Sequence, residues 1–307
     1  MIFKNLVKIK NCPICNFNKI LFKGKIKSKS IKINDYFSLI ECKNCNHRFL
    51  SEFPKPAYLE TLYKSNSPYV FGHDANEEIQ IKKFKKNGFK DVIPFKKHWI
   101  FKYISINEKK EYLEIGPGLC KMYKTFYDNG WKCNGIDIQP FIKAPGIVKK
   151  LEYIQNNSKD IAVAFDVIEH TVNPIKFLNN INQKMKNDGF LFLTFPNAGS
   201  FKSKLLNNRW GMVVPLAHIN FFSKKSCEIA LKKSNFELVY ISNFSLVNPK
   251  RLVKNFIKLP GRIFLDLIKF NTDSIFFRIR EFFLNILDLI NGDQMMVVAI
   301  KKNARKL

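Results

Sequence analysis

The stretch LEIGPGLC, residues 113–120, decides how the rest of the chain is interpreted. Its apolar residues end in an acidic one, Glu114, and two glycines one residue apart follow, Gly116 and Gly118. Glycine lets a backbone turn tightly and approach a ligand closely, and a helix that begins after such a turn can bind an anion. Turns of this kind commonly place a third small residue, usually glycine, where this chain has Cys120. Taken alone, the stretch permits a nucleotide-binding loop or a plain tight turn.

The residues around this turn predict alternating strands and helices. Strand patterns occupy 111–115, 132–138, 151–155, 160–167, 190–195, 237–246 and 294–302, and helical patterns occupy 119–129, 174–186 and 223–236. Such alternation is typical of a doubly wound α/β fold, in which helices cover both faces of a mostly parallel sheet. Ligands bind at the carboxyl ends of the strands in these sheets. Asp137 ends the second strand, and an acidic residue there can accept hydrogen bonds from both hydroxyls of a ribose.

Four cysteines near the start of the chain have metal-site spacing. Cys12 and Cys15 form CPIC, and Cys42 and Cys45 form CKNC. Two C-x₂-C knuckles this close together indicate a tetrahedral Zn²⁺ site in a reducing compartment, and four thiolates leave no open position for catalysis. We therefore predict a structural zinc ribbon over 1–52; the alternatives are metal-free thiol pairs or a redox pair. His47 is a weaker candidate ligand, and the other cysteines are expected to be ordinary buried thiols.

The motifs and their order resemble the class I S-adenosylmethionine-dependent methyltransferases. The segment EIGPG, 114–118, is similar to their first motif, and Asp137 to their ribose-binding acid. The segment FDVIEHTVNPIKFLNNINQKMKNDGFLFLTFPN, 165–197, is similar to the block from their fourth to their fifth strand. The segment HINFFSKKSCEIALKKSNFELV, 218–239, resembles a block found in one subset. That subset commonly carries a four-cysteine zinc module and includes sugar and glycan-cluster enzymes.

The resemblance implies a seven-stranded Rossmann-like sheet with the last strand antiparallel, over a domain at 106–307. It implies S-adenosylmethionine as methyl donor, bound by Glu114, Gly116, Gly118, Asp137, Asp166 and Glu169. The chain departs from the family at Cys120 and at the turn Asp188-Gly189, which replaces a pair of glycines. The family's acidic residue after the third strand is also missing from QNNSKD, 155–160, so Asn156 or Asn157 is the candidate substitute for adenine recognition.

Two histidines are the candidate general bases. Methyl transfer from a sulfonium to oxygen or carbon usually requires removal of a proton from the acceptor, and histidine titrates near neutral pH. Of the five histidines, His170 follows the fourth strand and His218 follows the fifth. We predict His218 as the base, with His170 as the second choice; the alternative for His170 is that it orders a loop through Glu169. The candidate acceptor contacts are Asn197, Trp210 and Asn220, and Trp210 could equally be core.

An insertion at 248–291 precedes the last strand. Its two segments, 250–270 and 274–290, have apolar residues at helical spacing with Lys and Arg between them, and Pro260-Gly261 is expected to break the first. Such helices could contact an anionic membrane surface, pack on a second copy as a homodimer, or cap the active site. Residues 53–105 are read as a linker with a helical lead-in.

Composition adds limits on the partner. The 307 residues include 46% hydrophobic ones, so a packed core is expected, and the net charge is +27. Lysine supplies 45 of the 52 basic residues, and the scarcity of arginine argues against a dedicated nucleic-acid surface. We expect a cytoplasmic protein, with possible membrane association, acting on a sugar, glycan precursor or other small metabolite. The alternatives are an RNA methyltransferase that uses the basic ribbon and a non-catalytic zinc-ribbon scaffold.

Overall fold

The computed structural model describes residues 6–27, 36–55, 57–58, 99–118, 120–138, 144–215, 217–268 and 272–303. Most of the predicted linker, including His73 and His98, lies outside these residues. The strands are β1 (Leu6–Lys8), β2 (Ile20–Lys27), β3 (Tyr36–Cys42), β4 (Arg48–Leu50), β5 (Glu52–Pro54), β6 (Glu111–Ile115), β7 (Lys132–Ile136), β8 (Ile147–Val148), β9 (Lys159–Phe165), β10 (Met185–Pro196), β11 (Asn220–Phe221), β12 (Phe236–Phe244) and β13 (Gln294–Lys301). The α-helices are α1 (Lys121–Asp128), α2 (Pro174–Lys184), α3 (Phe201–Leu206), α4 (Lys224–Lys233), α5 (Pro249–Ile268) and α6 (Thr272–Asn291).

The central sheet has seven strands in the order β12-β13-β10-β9-β6-β7-β8. The strands from β10 to β8 run parallel to one another, and β13 is antiparallel to both β10 and β12. This confirms the predicted Rossmann-like sheet with an antiparallel last strand. The chain order reverses between β6 and β9, which is the position where such sheets bind ligands.

Successive residues of the central strands enter two different cores. On β6 and β10, Leu113 and Leu193 face one core together with α2 and α4. Tyr112 and Phe192 face the other core, together with α1 and the short helix Trp99–Lys102. Side chains alternate with a period of two along a strand, so a strand that is apolar at every position must be covered on both faces.

The third strand differs from the prediction. Residues Leu151–Tyr153 form a short 3₁₀-helix, and the strand is instead the two-residue β8 at Ile147–Val148, paired with β7. Tyr153 is exposed and Leu151 only half-buried. The apolar residues of LEYIQ therefore occur at a turn that packs one side against the protein, and their pattern alone does not distinguish this turn from a short strand.

The N-terminal residues form a second sheet that includes β11, a strand from the second half of the chain. Its order is β11-β4-β3-β2, all antiparallel, with Asn220 opposite Phe49 and Phe221 opposite Arg48. The core that contains Phe49 is continuous with the core that contains Leu113. The predicted ribbon is therefore a sheet packed into the main body, joined to it through backbone hydrogen bonds.

The insertion forms the two predicted helices, but Pro260 does not break the first. Helix α5 continues through Pro260, which costs one backbone hydrogen bond, since proline has no N–H to donate. Helices α5 and α6 contact each other, and α6 also contacts α3 and β12. Phe256 of α5 stacks on Phe282 of α6 with ring centroids 5.1 Å apart.

Candidate functional site

The four predicted zinc ligands come together in one cluster. The Sγ atoms of Cys12 and Cys45 are 3.5 Å apart, and those of Cys15 and Cys42 are 3.4 Å apart. All four sulfur atoms lie within 4.8 Å of one another. A tetrahedral ion with Zn–S bonds of about 2.3 Å separates its sulfurs by about 3.8 Å, so the set fits Zn²⁺ with small adjustments.

Both knuckles have the same local geometry. The residue after the second cysteine of each pair, Asn16 or Asn46, has a left-handed backbone with φ of 63° or 57°. Its N–H donates to the carbonyl oxygen of the first cysteine of the pair, Cys12 or Cys42. Asparagine tolerates this conformation better than most residues, so the sequence supplies a suitable residue where each knuckle closes.

His47 lies beside the cluster without joining it. Its Nε2 is 3.0 Å from Oδ1 of Asn220, and its ring contacts Phe222 edge-on. The amide of Asn220 donates in turn to the carbonyl oxygen of Thr171, 2.6 Å away. These buried bonds link the cysteine cluster to the loop after β9. His47 therefore contributes a structural link rather than a fifth ligand atom.

The glycine turn begins where β6 ends. Gly116 has φ of 67°, donates its N–H to Ile136 of β7, and would place a Cβ atom 2.7 Å from Val167. Gly118 has φ of 51°, and a Cβ atom there would meet nothing within 4 Å. Side chains other than glycine are strained at such angles. The turn is therefore held against the loop after β9 on one side and is open on the other, as a cofactor loop requires.

Cys120 differs in position from the prediction, which placed it inside the following helix. It precedes α1 as the N-cap residue, has a left-handed backbone with φ of 56°, and is buried. Its Sγ lies 3.7 Å from the carbonyl oxygen of Gly118. A third glycine would be unstrained at this point, and cysteine occupies it at a conformational cost of about 1–2 kcal/mol.

Two predicted cofactor contacts lie close to the turn. Glu114 is buried and accepts a hydrogen bond from the hydroxyl of Tyr112, 2.9 Å away. Burial raises its pKa to about 8. Asp137 follows β7 directly and donates its N–H to Val148. Because β6 and β7 are adjacent and parallel, both carboxyl groups lie at the same edge of the sheet as the glycines.

The loop after β9 supplies the next two predicted contacts, Asp166 and Glu169. Asp166 has a left-handed backbone with φ of 55° and accepts a hydrogen bond from the Thr194 hydroxyl of β10. Glu169 is 1% exposed, and neither carboxylate oxygen has a hydrogen-bond partner among the described residues. Burial, with a contribution from Asp166, raises the pKa of Glu169 well above its ordinary value.

His170 and His218 face each other beside Glu169. Their ring centroids are 4.8 Å apart, and each of the three residues offers a ligating atom within 4.8 Å of the others. Nδ1 of His170 is 2.8 Å from the carbonyl oxygen of Ala217, and Nδ1 of His218 is 2.7 Å from that of Met212. A carbonyl only accepts, so each Nδ1 carries a proton and each neutral ring has its lone pair on Nε2. The arrangement provides basic nitrogens, and the three groups could also serve as ligands for a divalent cation.

The predicted acceptor contacts are buried in the core. Trp210 is 1% exposed and donates its indole N–H to Asp293, while Asn220 bridges His47 and Thr171. Asn197 is also buried, with its amide donating to Gly292 and its oxygen accepting from Gly199. Among the described residues, Trp210 and Asn220 are therefore packed inside the protein, where they support the loops around the histidines.

The predicted adenine contacts also lie in a different place. Asn156 accepts a hydrogen bond from Lys184, and Asn157 accepts one from Lys301. Both residues precede β9, so they lie at the amino end of that strand, opposite the glycine turn. Because the third strand is β8, the acidic residue that follows it is Glu152, which is exposed.

Sequence reasoning missed Asp293, which holds several elements at this end of the sheet. Its carboxylate accepts hydrogen bonds from Trp210 and from the hydroxyl of Ser200, and Lys202 lies 3.5 Å away. Asp293 precedes β13 by one residue, whereas its partners are about 80 to 95 residues earlier. No local pattern marks such a residue.

Comparisons with known proteins give a matching family model and structures of similar fold. Residues 89–241 match the family model described as "Methyltransferase domain". The fold is similar to that of Haemonchus contortus phosphoethanolamine N-methyltransferase 2, solved with S-adenosyl-L-methionine, with a TM-score of 0.50 and 14% identity over 92% of this chain and 69% of that one. A methyltransferase from Archaeoglobus fulgidus has a TM-score of 0.45 and 16% sequence identity, over 78% of this chain and 100% of that one. The comparison with curated proteins gives no match.

Proposed function

We propose that this S-adenosylmethionine-dependent methyltransferase transfers a methyl group to a sugar, a glycan precursor or another small metabolite. The observation that carries the proposal is the meeting of two features at one edge of the sheet. The glycine turn has an open side at Gly118, and the histidine pair lies beyond the neighbouring strand β9. A cofactor would be held by residues at the ends of β6 and β7, next to the loop after β9.

The residues at this edge divide the work of binding. Gly116 and Gly118 would let the backbone approach the cofactor, and Asp137 would accept hydrogen bonds from ribose hydroxyls. Asp166 and Glu169, in the loop after β9, would complete the cofactor site. When bound, the cofactor would supply an activated methyl group, because its sulfonium becomes a neutral thioether leaving group when the methyl carbon bonds to the acceptor. Holding the acceptor in line for this displacement is worth about 7–11 kcal/mol in favourable intramolecular reactions.

We assign the general base to His218, with His170 beside it. The carbonyl oxygen at Nδ1 orients the ring of His218, so the proton of an acceptor hydroxyl is taken up at Nε2. His170 is oriented in the same way by Ala217. Loss of a positioned base typically costs 10²- to 10⁴-fold in rate.

Kinetics of His218→Asn test this assignment. We expect kcat to fall by about 10²–10⁴-fold with the affinity for S-adenosylmethionine unchanged. His170→Asn serves as the matched variant, and a larger loss there would move the base to His170. Activity that is lost with a chelator and restored by Mn²⁺, in protein that keeps its cysteine-bound metal, would instead assign the pair to a metal site and overturn the base.

We also propose that the cysteine cluster holds a structural Zn²⁺. The sulfur distances fit the ion, and a closed set of four thiolates gives no position for substrate. Metal analysis of the purified protein should give one zinc per chain that Cys42→Ser removes. Protein that is folded and free of metal would overturn this part.

The acceptor class is tested with labelled cofactor. Sugar nucleotides, lipid-linked sugars, small hydroxylated metabolites and RNA are offered in parallel, and binding of S-adenosylmethionine is measured by calorimetry. Label transfer to a sugar-containing acceptor supports the proposal. Transfer to RNA alone would contradict a sugar or small-metabolite acceptor. Folded protein that binds no cofactor would contradict methyltransferase activity altogether.

A further inference from the structure

The helical hairpin formed by α5 and α6 has large apolar side chains in water. Exposed fractions reach 75% for Phe276, 72% for Ile257 and 66% for Ile290. Further side chains exposed by about half or more are Val253, Phe256, Leu265, Leu267, Phe277, Ile279 and Phe283. Scattered apolar residues are normal on a surface, whereas a contiguous set on one element marks an interaction site. Nothing in the described part of the chain covers this set.

The exposed residues follow helical spacing on each helix. On α6, Phe276, Ile279, Phe283 and Ile290 are separated by three, four and seven residues, which places them along one face. On α5, Val253, Phe256 and Ile257 are separated by three and four, which also groups them. Each helix therefore presents an apolar stripe outward, in addition to the residues it uses to contact the other.

A basic stripe accompanies the apolar one on α5. Four exposed basic residues occur at every fourth position and so form a row along the helix: Lys250, Lys254, Lys258 and Arg262. They line a surface depression of about 480 Å³ together with Asn248 and Asn255. Acidic side chains do not enter this lining. Nε of Arg278 in α6 forms an ion pair with the carboxylate of Asp266 in α5, 2.7 Å away.

The open end of the hairpin, where α5 begins and α6 ends, is anchored in the protein. Asp288 of α6 is buried and accepts a hydrogen bond from the backbone of Asp293, and Leu284 is buried. Leu252 of α5 is also buried. The apolar stripes lie outside these anchored positions. The hairpin is thus attached firmly to the enzyme while it offers its apolar faces outward.

We propose that the α5–α6 hairpin docks on an anionic lipid bilayer, lying in the plane of the interface. Apolar stripes of bulky side chains beside a row of Lys and Arg fit a surface that is apolar below and negative at the headgroups. A second copy of the chain would place the basic row of one copy beside that of another, at an electrostatic cost, and this favours the bilayer. No helix among the described residues is both long enough and apolar enough to cross a membrane.

Docking would bring the carboxyl edge of the sheet to an acceptor held at the membrane. The hairpin precedes β13, whose first residue Gln294 follows Asp293, the residue that holds Trp210 near the site. Resting on the proposed function, docking of this kind would give the enzyme access to a sugar carried on a lipid. The docking itself does not depend on that function and is tested without it.

Vesicle flotation of the full-length, zinc-loaded protein tests the surface. Vesicles of phosphatidylcholine with phosphatidylglycerol should carry the protein, and pure phosphatidylcholine should carry far less. The variant Phe276→Ser/Phe283→Ser should lose at least about tenfold in partitioning. The matched control is Tyr153→Ser/Phe22→Ser, which removes two exposed aromatic residues elsewhere and should bind as wild type.

A charge variant separates the two stripes. Lys254→Glu/Lys258→Glu should remove the preference for phosphatidylglycerol, whereas Lys224→Glu/Lys225→Glu, an exposed pair on α4, should retain it. Thermal unfolding confirms that each variant is folded. Wild-type protein that does not float, or that floats equally with the aromatic variant, would overturn the proposal.

The oligomeric state identifies the competing occupant. Light scattering should show a monomer for both wild type and the aromatic variant. A wild-type dimer that dissociates in Phe276→Ser/Phe283→Ser, with no flotation, would assign the surface to a second copy instead. Methylation of a water-soluble acceptor should be equal in both proteins, so a failure of the proposed chemistry is recognised separately from a failure of docking.

Discussion

The cysteine cluster and the carboxyl edge of the central sheet differ in how completely their buried side chains are paired within the protein. The four sulfurs lie within 4.8 Å of one another, and each knuckle is closed by backbone hydrogen bonds. At the edge, the buried carboxylate of Glu169 has no hydrogen-bond partner among the described residues. Gly116, Gly118 and Cys120 also have left-handed backbones there. A buried carboxylate without a partner and a strained non-glycine residue such as Cys120 are typical of functional sites.

The two regions therefore differ in role: the cysteine cluster serves stability, and the carboxyl edge serves binding. The cysteine cluster lies beside a sheet that shares β11 with the catalytic part, so loss of the proposed zinc is expected to cause unfolding. At the carboxyl edge, the unpaired carboxylate of Glu169 and the left-handed backbone of Cys120 lower stability, and this edge is open to a cofactor. Substitutions in the first region should therefore change stability, and substitutions in the second should change binding.

The largest effect is expected for Cys45→Ser. It removes one of four ligands from a buried cluster, and structural zinc contributes about 10–16 kcal/mol of apparent binding free energy in small zinc domains. We expect loss of zinc and a cooperative loss of folding that includes the main body, because the cores are continuous. Metal analysis and thermal unfolding measure it, with Cys133→Ser as the control. An unchanged Tm in zinc-free protein would show that the two regions fold independently.

Gly118→Val should give the largest effect on binding. The added side chain enters the open space beside the turn and is strained at a φ of 51°. We expect affinity for S-adenosylmethionine to fall by at least about a thousandfold, or about 4 kcal/mol. Zinc content should be unchanged. Calorimetry and metal analysis on the same sample decide it, and near-normal affinity would exclude this turn as the cofactor loop.

Glu114→Gln should show how much the buried carboxyl group of Glu114 lowers the free energy of unfolding at alkaline pH. The pKa of Glu114 is raised by burial from 4.5 to about 8. The folded state holds the proton more tightly than the unfolded chain, so its contribution to stability is fully present below pH 4.5 and is lost as pH rises through 8. The neutral glutamine avoids this loss.

We therefore expect cofactor-free Glu114→Gln to be more stable than wild type at pH 8.5, by about 5 kcal/mol, with little difference at pH 4.5. Urea unfolding at several pH values gives the slope. Glu237→Gln, at an exposed position on β12, should leave the slope as in wild type. Parallel curves for wild type and Glu114→Gln would contradict the raised pKa.

Asn220→Ala probes the contact between the two regions. It removes the amide that joins His47 to Thr171 and leaves buried polar groups without partners, at a cost of about 1–3 kcal/mol each. We expect a lower Tm with zinc still bound, and a smaller decrease than for Cys45→Ser. The outcome that would contradict the link is full stability in chemical unfolding.

Cys120→Gly should have the smallest effect. Glycine relieves the left-handed strain but loses a buried sulfur, so unfolding free energy should change by less than about 1 kcal/mol. Cofactor affinity should stay within about threefold of wild type. Cys120→Val is the matched variant and should be clearly less stable, because a β-branched residue is poorly accommodated at this φ. A loss of affinity in Cys120→Gly would give the thiol a role in binding.

The sequence by itself determined the cysteine cluster, the glycine turn, the acid after the second strand and most of the sheet. These features are local: two cysteines in one turn must lie close together, and alternation along a strand assigns its faces whatever follows. The same locality explains the misplaced third strand, since a short apolar run is compatible with a strand or a packed turn. It also explains Pro260, because packing against α6 maintains a helix that the local sequence opposes.

Only the tertiary structure decided which polar residues serve the site. His218 meets Glu169 across 49 positions, and Asn220 meets His47 across 173. Trp210 and Asn220, which looked like cleft residues, became core because Asp293 and β4 approach them from remote parts of the chain. The exposed stripes of α5 and α6 were likewise undecided, since helical spacing predicts an apolar face and not its partner. Long-range packing sets burial and pairing, and no local pattern encodes it.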